Sequence, residues 1–573
     1  MADPAASIHR SFSSDPAVTV TESAGQRVHR RALEQSERLQ RRFYTVRPGV
    51  WCLVGNGLSN QTFIEGPGGV IAIDTGESVE EMRAALAELR TVTAAPVVAV
   101  IYTHFHYLAG TRAVFEAAGG PVPVHGHERI PLNLARTGAE IGPAYASGLI
   151  HQFGIRLPEE GPDGQVNVGL GLRFRNPEHA PFTPGYVPPT VFWRGGEDLV
   201  LAGLRLQVTH APSDSDDSLT LWFPDLGVCV HNILWPTLFN IFAIRGEAYR
   251  DPQGLLTGLD HVISLGAQHL VGTHGPPLSD DGTLRDRAIR YRDSIQFLWD
   301  QTVRGMNNGL TADQMAHSIA LPAACDADYL TSEFYGVAEH HVRQIAAGIR
   351  GWFDGDPGKL FPLAPADRAA RLVDGFGGAE AVRARVAAAR QDNDLRWALE
   401  LAGWLADRPE AVDEDRQAQA DVLRDIAART TAANIRNWCL TKARDLDGST
   451  DLSRLRGHRL RAATLRAGTP AAALNLLRVL LDPDRAAGID LHLAFVFPDG
   501  GRAGLHLRNS VSVATDGEGA RATVRIAWPD LASVLAGDAT LAALLDSGSA
   551  TVEGDRAGVL AALSAFDTPG FRA

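Results

Sequence analysis

Ile101-Tyr102-Thr103-His104-Phe105-His106-Tyr107 closes an apolar run on two histidines separated by one residue. The continuous stretch from Val97 to Tyr102 has the pattern of a buried strand. At the end of such a strand the backbone is free to turn both imidazoles to one side, where they reach a single metal ion. A lone H-x-H also describes two packing or surface histidines, so its neighbours matter. Ile71-Ala72-Ile73-Asp74-Thr75-Gly76 is a buried strand ending in an Asp suited to accept the outer N–H of a ligand imidazole. His210-Ala211-Pro212-Ser213-Asp214-Ser215-Asp216-Asp217-Ser218 sets several carboxylates in a loop just before the strand Leu219 to Phe223. Val228-Cys229-Val230-His231-Asn232 and Leu270-Val271-Gly272-Thr273-His274-Gly275-Pro276 are further short apolar strands that stop at a histidine.

Around these strand ends, residues from about Tyr44 to Gly275 alternate short apolar strands with Gly, Pro and Asp turns, and Glu77 to Arg90 has helical spacing between two strands. The reading is an α/β or layered β domain. After about Pro277 the texture becomes helical, with long Ala/Leu/Arg/Asp segments such as Leu284 to Gly305 and Ala364 to Arg444. From Ser449 a small α+β domain follows, with strands at Leu491 to Phe495, Gly504 to Arg508 and Ala522 to Ala527. The expected division is an extension over 1–43, a domain carrying the histidines over 44–290, a helical domain over 291–448 and a last domain over 449–573. A net charge of −13 without any Lys/Arg-rich run excludes a nucleic-acid partner, which needs a basic footprint. The four cysteines are too far apart for a C-x-x-C metal pair or a disulfide framework. With no signal-type apolar stretch near the start and no apolar run of about 20 residues, the expectation is a cytoplasmic protein without a membrane span.

Thr103-His104-x-His106, preceded by Ile73-Asp74-Thr75-Gly76 and followed by Asp214, Asp216, Asp217, His231 and His274, resembles the metallo-β-lactamase superfamily. Within it, the chain resembles the alkyl sulfatases. The family-type segments are Asn60-Gln61-Thr62-Phe63-Ile64-Glu65, Ala243-Ile244-Arg245-Gly246 with Arg250-Asp251, Phe334-Tyr335-Gly336, Gly351-Trp352-Phe353-Asp354-Gly355 and Asn434-Ile435-Arg436-Asn437. The resemblance spans roughly Tyr44 to Ala565. It implies an αββα sandwich, an all-α dimerisation domain that makes a homodimer, and a C-terminal α+β domain similar to sterol carrier protein.

The metal motif departs from the family's H-x-H-x-D-H: the last two positions are Leu108 and Ala109, which bind no metal. The acid that bridges two metals in the family is replaced by His231, whose neutral imidazole has one free lone pair. These changes lead to an expectation of one divalent metal per chain, held by His104, His106 and His231, with an Asp of the 214–217 loop, Asp217 by preference, or His274 as a further ligand. Such a site suits zinc with an activated water, and equally iron(II) in oxygen chemistry. The family's Thr-Leu-His-Asn is Thr237-Leu238-Phe239-Asn240, so a donor near the substrate has become an apolar ring.

Arg245 is retained, as a bidentate partner for a sulfate, phosphate or carboxylate, or else in an internal salt bridge with Glu247 or Asp251. Tyr107 and Tyr145 either serve the substrate or pack with satisfied hydroxyls. Of the adjacent pair His340 and His341, His340 is expected to face the site. The expected catalytic residues are Tyr107, Arg245 and His340, and the expected substrate contacts are Asn60, Arg245, Phe239 and Tyr145. The function implied is hydrolysis of a small or amphiphilic anionic molecule. An iron-dependent oxygen reaction and a non-catalytic family member are the alternatives.

Overall fold

The computed structural model describes residues 11–138, 140–455 and 457–572. Two compact units are present. The first takes the described residues up to Leu134 together with Tyr145–Leu452, and the second takes Ala135–Ala144 with the described residues from Ser453 onward. The boundary expected at 290/291 falls inside the first unit, where the helical residues and the sandwich are one body.

In the first unit, seven strands between Arg42 and Trp193 pair in chain order. The first four form an antiparallel meander ending in Gly69–Ile73, and the next three run parallel to it. The first crossover is the helix Val79–Leu89. Ser78 caps it by accepting from Glu81 N, and Val79, Met82, Ala85, Leu86 and Leu89 face inward at helical spacing. Six strands between Asp198 and Ser279 make the second sheet, again a four-strand meander followed, after the helix Pro252–Ser264, by the parallel strand His269–Gly272.

Alternation along each strand divides its side chains between two layers. Ile71, Ile73 and Ile101 meet Leu206, Val208, Leu221 and Val230 between the sheets. Val70, Ala72, Val97 and Val100 pack outward with the helix Val79–Leu89. Each such aliphatic side chain contributes roughly 1.5–3 kcal/mol by leaving water.

Parallel pairing of Ile73 with Ile101, and of His231 with Gly272, brings the carboxyl ends of these four strands to one edge of the sandwich. Leu219 N donates to Thr103 O (2.9 Å), tying the entrance of a second-sheet strand to the end of a first-sheet strand.

The helical region runs from Leu284–Asn307 through Ala433–Leu446. Residues Ser11 to Ser13 lie against it: Phe12 bridges Thr430, Ser13 N donates to Arg429 O (3.2 Å) and Thr431 N to Ser11 O (2.9 Å). The second unit has a five-stranded sheet whose central strands, Leu491–Val496 and Ala522–Arg525, are parallel. Its core includes Leu493, Phe495, Leu505, Val524, Leu531 and Phe566. Among the described residues no helix is long and apolar enough to cross a membrane.

Candidate metal centre

Asp74 follows its strand in a left-handed conformation (φ 56°), which an Asp side chain tolerates better than most. The turn lets its carboxylate accept from Thr103 N (2.8 Å) and from the Thr103 hydroxyl (2.7 Å). With that hydroxyl proton committed, Thr103 Oγ1 is the acceptor for His104 Nδ1–H (2.8 Å). The expected link between Asp74 and an imidazole therefore runs through a threonine. It leaves His104 Nε2 with a free lone pair aimed at the site. Burial raises the Asp74 carboxyl to about 6, against the pull of His104 and Thr103.

His104 Nε2 lies 3.0 Å from His106 Nδ1 and 3.2 Å from Asp214 Oδ2, and His106 Nδ1 lies 2.7 Å from that same oxygen. These are hydrogen-bond separations, and they set all three donor atoms within reach of one ion. The outer nitrogen of each histidine is engaged: His104 by Thr103, and His106 by Glu247 Oε1 at 2.9 Å. This arrangement directs the inner lone pairs to a common point, so the residues fit a single divalent ion. Burial opposes charge on His106, yet Asp214 and Glu247 on its two sides draw it up to about 9.

The cluster brings together two of the expected ligands, His104 and His106, with Asp214. His231 and His274 do not join the cluster, and Asp214 stands where Asp217 was preferred. His231 is buried with Nδ1 facing Leu234 N (3.4 Å) and with Nε2 unpartnered among the described residues, and burial lowers it to about 4. It lines a small cavity with Leu234, Trp235, Gly272 and His274. Asp217 is fully buried and accepts from the Ser215 hydroxyl.

His274 sends Nδ1–H to Leu58 O (3.1 Å) and accepts the Tyr107 hydroxyl on Nε2 (3.1 Å). Tyr107 is thus a buried ring, edge-on to His104 and His274, with a satisfied hydroxyl. Leu108 packs into the apolar layer outside the first sheet. Leu108, Tyr107 and His274 leave no second group of three metal-type donors among the described residues.

Three other placements correct the sequence reading. Both amide N–H groups of Asn60 go to backbone, Gly272 O (2.8 Å) and Gly275 O (2.7 Å), so Asn60 holds the turn carrying His274 and does not face a substrate. Phe239 is fully buried, its centroid 4.3 Å from that of Trp235, and supports the Arg250 guanidinium. On the helix Ala338–Arg350 the inward histidine is His341, not His340, because adjacent helical positions point about 100° apart. His341 packs against Gly336 beneath the Leu238-Phe239 backbone, and burial lowers it to about 3.

Arg245 is in an internal salt bridge: its guanidinium donates to Glu247 Oε2 (2.6 Å), and its backbone packs on Gly148. Arg250 donates to the same Glu247 oxygen (2.7 Å), to Asn240 O (2.6 Å) and to both the backbone and side chain of Asp214. Tyr145 lies beside Arg245 and donates to Glu247 Oε1 (3.4 Å). Asp214, Glu247 and Arg250 as a linked set escaped the sequence reading. The signal available was the spacing Arg245-x-Glu247-x-x-Arg250, three charges in six residues of an otherwise apolar stretch.

The metallo-β-lactamase superfamily profile matches residues 54–231, the alkyl sulfatase dimerisation profile 311–449 and the alkyl sulfatase C-terminal profile 459–572. The linear primary-alkylsulfatase of Pseudomonas sp. (strain ATCC 19151) is 33% identical over 530 residues, covering 88% of this chain and 98% of that protein. The (R)-specific secondary-alkylsulfatase of Pseudomonas sp. is 28% identical over 529 residues, covering 89% and 79%. The solved structure of the stereoselective inverting sec-alkylsulfatase Pisa1 from Pseudomonas sp. superposes with a TM-score of 0.83 at 26% identity, covering 96% of this chain and 88% of that one. With the sandwich, the helical region and the C-terminal α+β unit all matched in order, the chain belongs to the alkyl sulfatase family, hydrolytic enzymes of the metallo-β-lactamase superfamily.

Proposed function

We propose that this enzyme hydrolyses a small or amphiphilic anionic monoester, of the sulfate ester type, at a site holding one divalent metal per chain. The observation that carries the reading is the convergence of His104 Nε2, His106 Nδ1 and Asp214 Oδ2, with Tyr107 closing the neighbouring space onto His274. When bound there, a zinc-type ion supplies Lewis acidity and a water activated at neutral pH. The protein's own groups do the rest. Thr103 and Glu247 fix the two imidazole tautomers, Asp214 supplies negative charge, and Arg250 restrains that carboxylate.

Arg245 is the candidate anion holder, since its Nε is a buried donor without a partner among the described residues. His231 and His274, both neutral by burial, add no charge beside the ion. The dimerisation profile over 311–449 supports a homodimer, and four buried cysteines at wide spacing suit a reducing, cytoplasmic setting.

Two histidines and one carboxylate are also the donor set of oxygen-activating iron(II) enzymes, which keeps the iron reading as the second one. The test is metal content per chain together with release of inorganic sulfate from a medium-chain alkyl sulfate. One zinc per chain, with turnover abolished by chelation and restored by zinc, is expected. One iron with oxygen consumption, or two metals per chain, overturns the reading.

A further inference from the structure

Glu247 stands where an anion would be expected. Its Oε1 accepts from His106 Nε2 (2.9 Å) and Tyr145 (3.4 Å), and its Oε2 accepts from Arg245 (2.6 Å) and Arg250 (2.7 Å). Four donors from three separate segments thus converge on one carboxylate whose side chain is 8% exposed. Two of the donors are guanidiniums, the side chains best matched to the oxygen edge of a sulfate, phosphate or carboxylate.

The Arg250 guanidinium is held independently of Glu247, while the Arg245 guanidinium lies beside the Tyr145 and Phe153 rings. Arg250 is fixed by Asn240 O and by Asp214, and lies over the Trp235 and Phe239 rings. Arg245 is fixed through its backbone, whose N–H donates to Gln152 Oε1 (3.2 Å) and whose carbonyl packs on Gly148. The Arg250 side of the seat therefore persists when its occupant changes, and the Arg245 backbone stays anchored beside it. Glu247 itself lies next to Gly246, whose φ of 86° marks a turn that an ordinary residue rarely adopts.

We propose that Glu247 is a built-in occupant of the anion seat formed by Arg245 and Arg250, and that it sets substrate choice by competing with the substrate's anionic group. This inference rests on the hydrolase reading only for the identity of that group, an oxyanion such as sulfate. In the resting enzyme the two positive charges are already matched, so a sulfate ester binds only by displacing a carboxylate. The consequence is weak affinity for free anions and a KM for sulfate esters set by that exchange.

The deciding variant is Glu247→Gln, because the amide oxygen still accepts from His106 Nε2–H while the counter-charge to the arginines is removed. Inorganic sulfate is titrated by calorimetry into the metal-loaded wild type and variant, with metal content measured on the same samples. Sulfate binding at least tenfold tighter in Glu247→Gln, with metal retained, is expected. A second substitution, Arg245→Met, made in the Glu247→Gln background, is expected to erase that gain. Equal or weaker sulfate binding in the metal-loaded Glu247→Gln variant overturns the proposal, as does a gain that survives Arg245→Met. Glu247→Ala in excess metal provides the same comparison should the glutamine fail to fold. Kinetics separate this inference from the hydrolase reading. Tighter sulfate binding with no alkyl sulfate turnover in either protein overturns the hydrolase reading alone, whereas turnover with KM unchanged by Glu247→Gln overturns this one alone.

Discussion

Asp214 and His231 make opposite demands on a metal assay. Asp214→Asn removes the charged donor from the three-atom cluster, and metal content is expected to fall below about a tenth of an ion per chain after dialysis, with activity lost at least a hundredfold. His231→Ala, outside the cluster, is expected to keep the metal. Metal analysis of the two variants checks both. Glu81 offers a test away from the metal. It is buried under Gly57 and Gly76, accepts from Gln61 (2.8 Å) and Glu77 N (3.1 Å), and burial with the nearby Glu77 raises it to about 8. The folded chain then keeps this proton after an unfolded chain has released it at about 4.5. The stabilisation it contributes is whole below that pH and is lost as pH climbs to about 8. Melting temperature measured from pH 5 to pH 8 should decline more in the wild type than in Glu81→Gln. His104 and His106 were legible because a strand end advertises itself in sequence. Asp214 was not separable from Asp216 and Asp217, since the bond from Leu219 N to Thr103 O that sets the loop's position joins residues more than a hundred positions apart.

Strands and helices decide how rigidly these side chains stand. The helix Gly142–Phe153 approaches the Arg245 backbone so closely that a Cβ on Gly148 would lie 2.2 Å from Arg245 O. Gly148→Ala is expected to push the Arg245-to-Arg250 segment aside and to cost about 1–3 kcal/mol in stability, read by thermal denaturation. At the end of the strand Val97–Ile101, Thr103→Val deletes the hydroxyl between Asp74 and His104, and metal affinity should fall about 10–100-fold in a competition titration with a chromophoric chelator. Element types followed from periodicity: the apolar run at Val97 and the helical spacing after Glu77 both mark real elements. The left-handed Asp74 and the inward turn of His341 left no such trace, because each is fixed by what packs on it from distant parts of the chain.

The whole molecule presents five large apolar side chains in the fifteen positions from Ile349, near the end of the helix Ala338–Arg350, to Leu363: Ile349, Trp352, Leu360, Phe361 and Leu363 are all exposed, Phe361 at 95%. They fall within the dimerisation match, and a surface of this kind is covered in a stable oligomer. The wild type is expected to give dimers by light scattering, and Trp352→Ser with Phe361→Ser monomers. The order of sandwich, helices and α+β unit was readable from texture changes alone, whereas the merging of the first two into one body depends on contacts that composition does not encode.

The segment before the sandwich joins the helical region as well, through Phe12 with Thr430, Ser13 with Arg429 and Thr19 with Ala428. On a ribosome the segment around Phe12 emerges before its partners, which appear only after some four hundred more residues have been made. Throughout that interval it is an adhesive segment without a seat, and closing so long a loop is slow. The sandwich can therefore gather its sheets during synthesis, whereas the segment around Phe12 docks only once the helical region has been made.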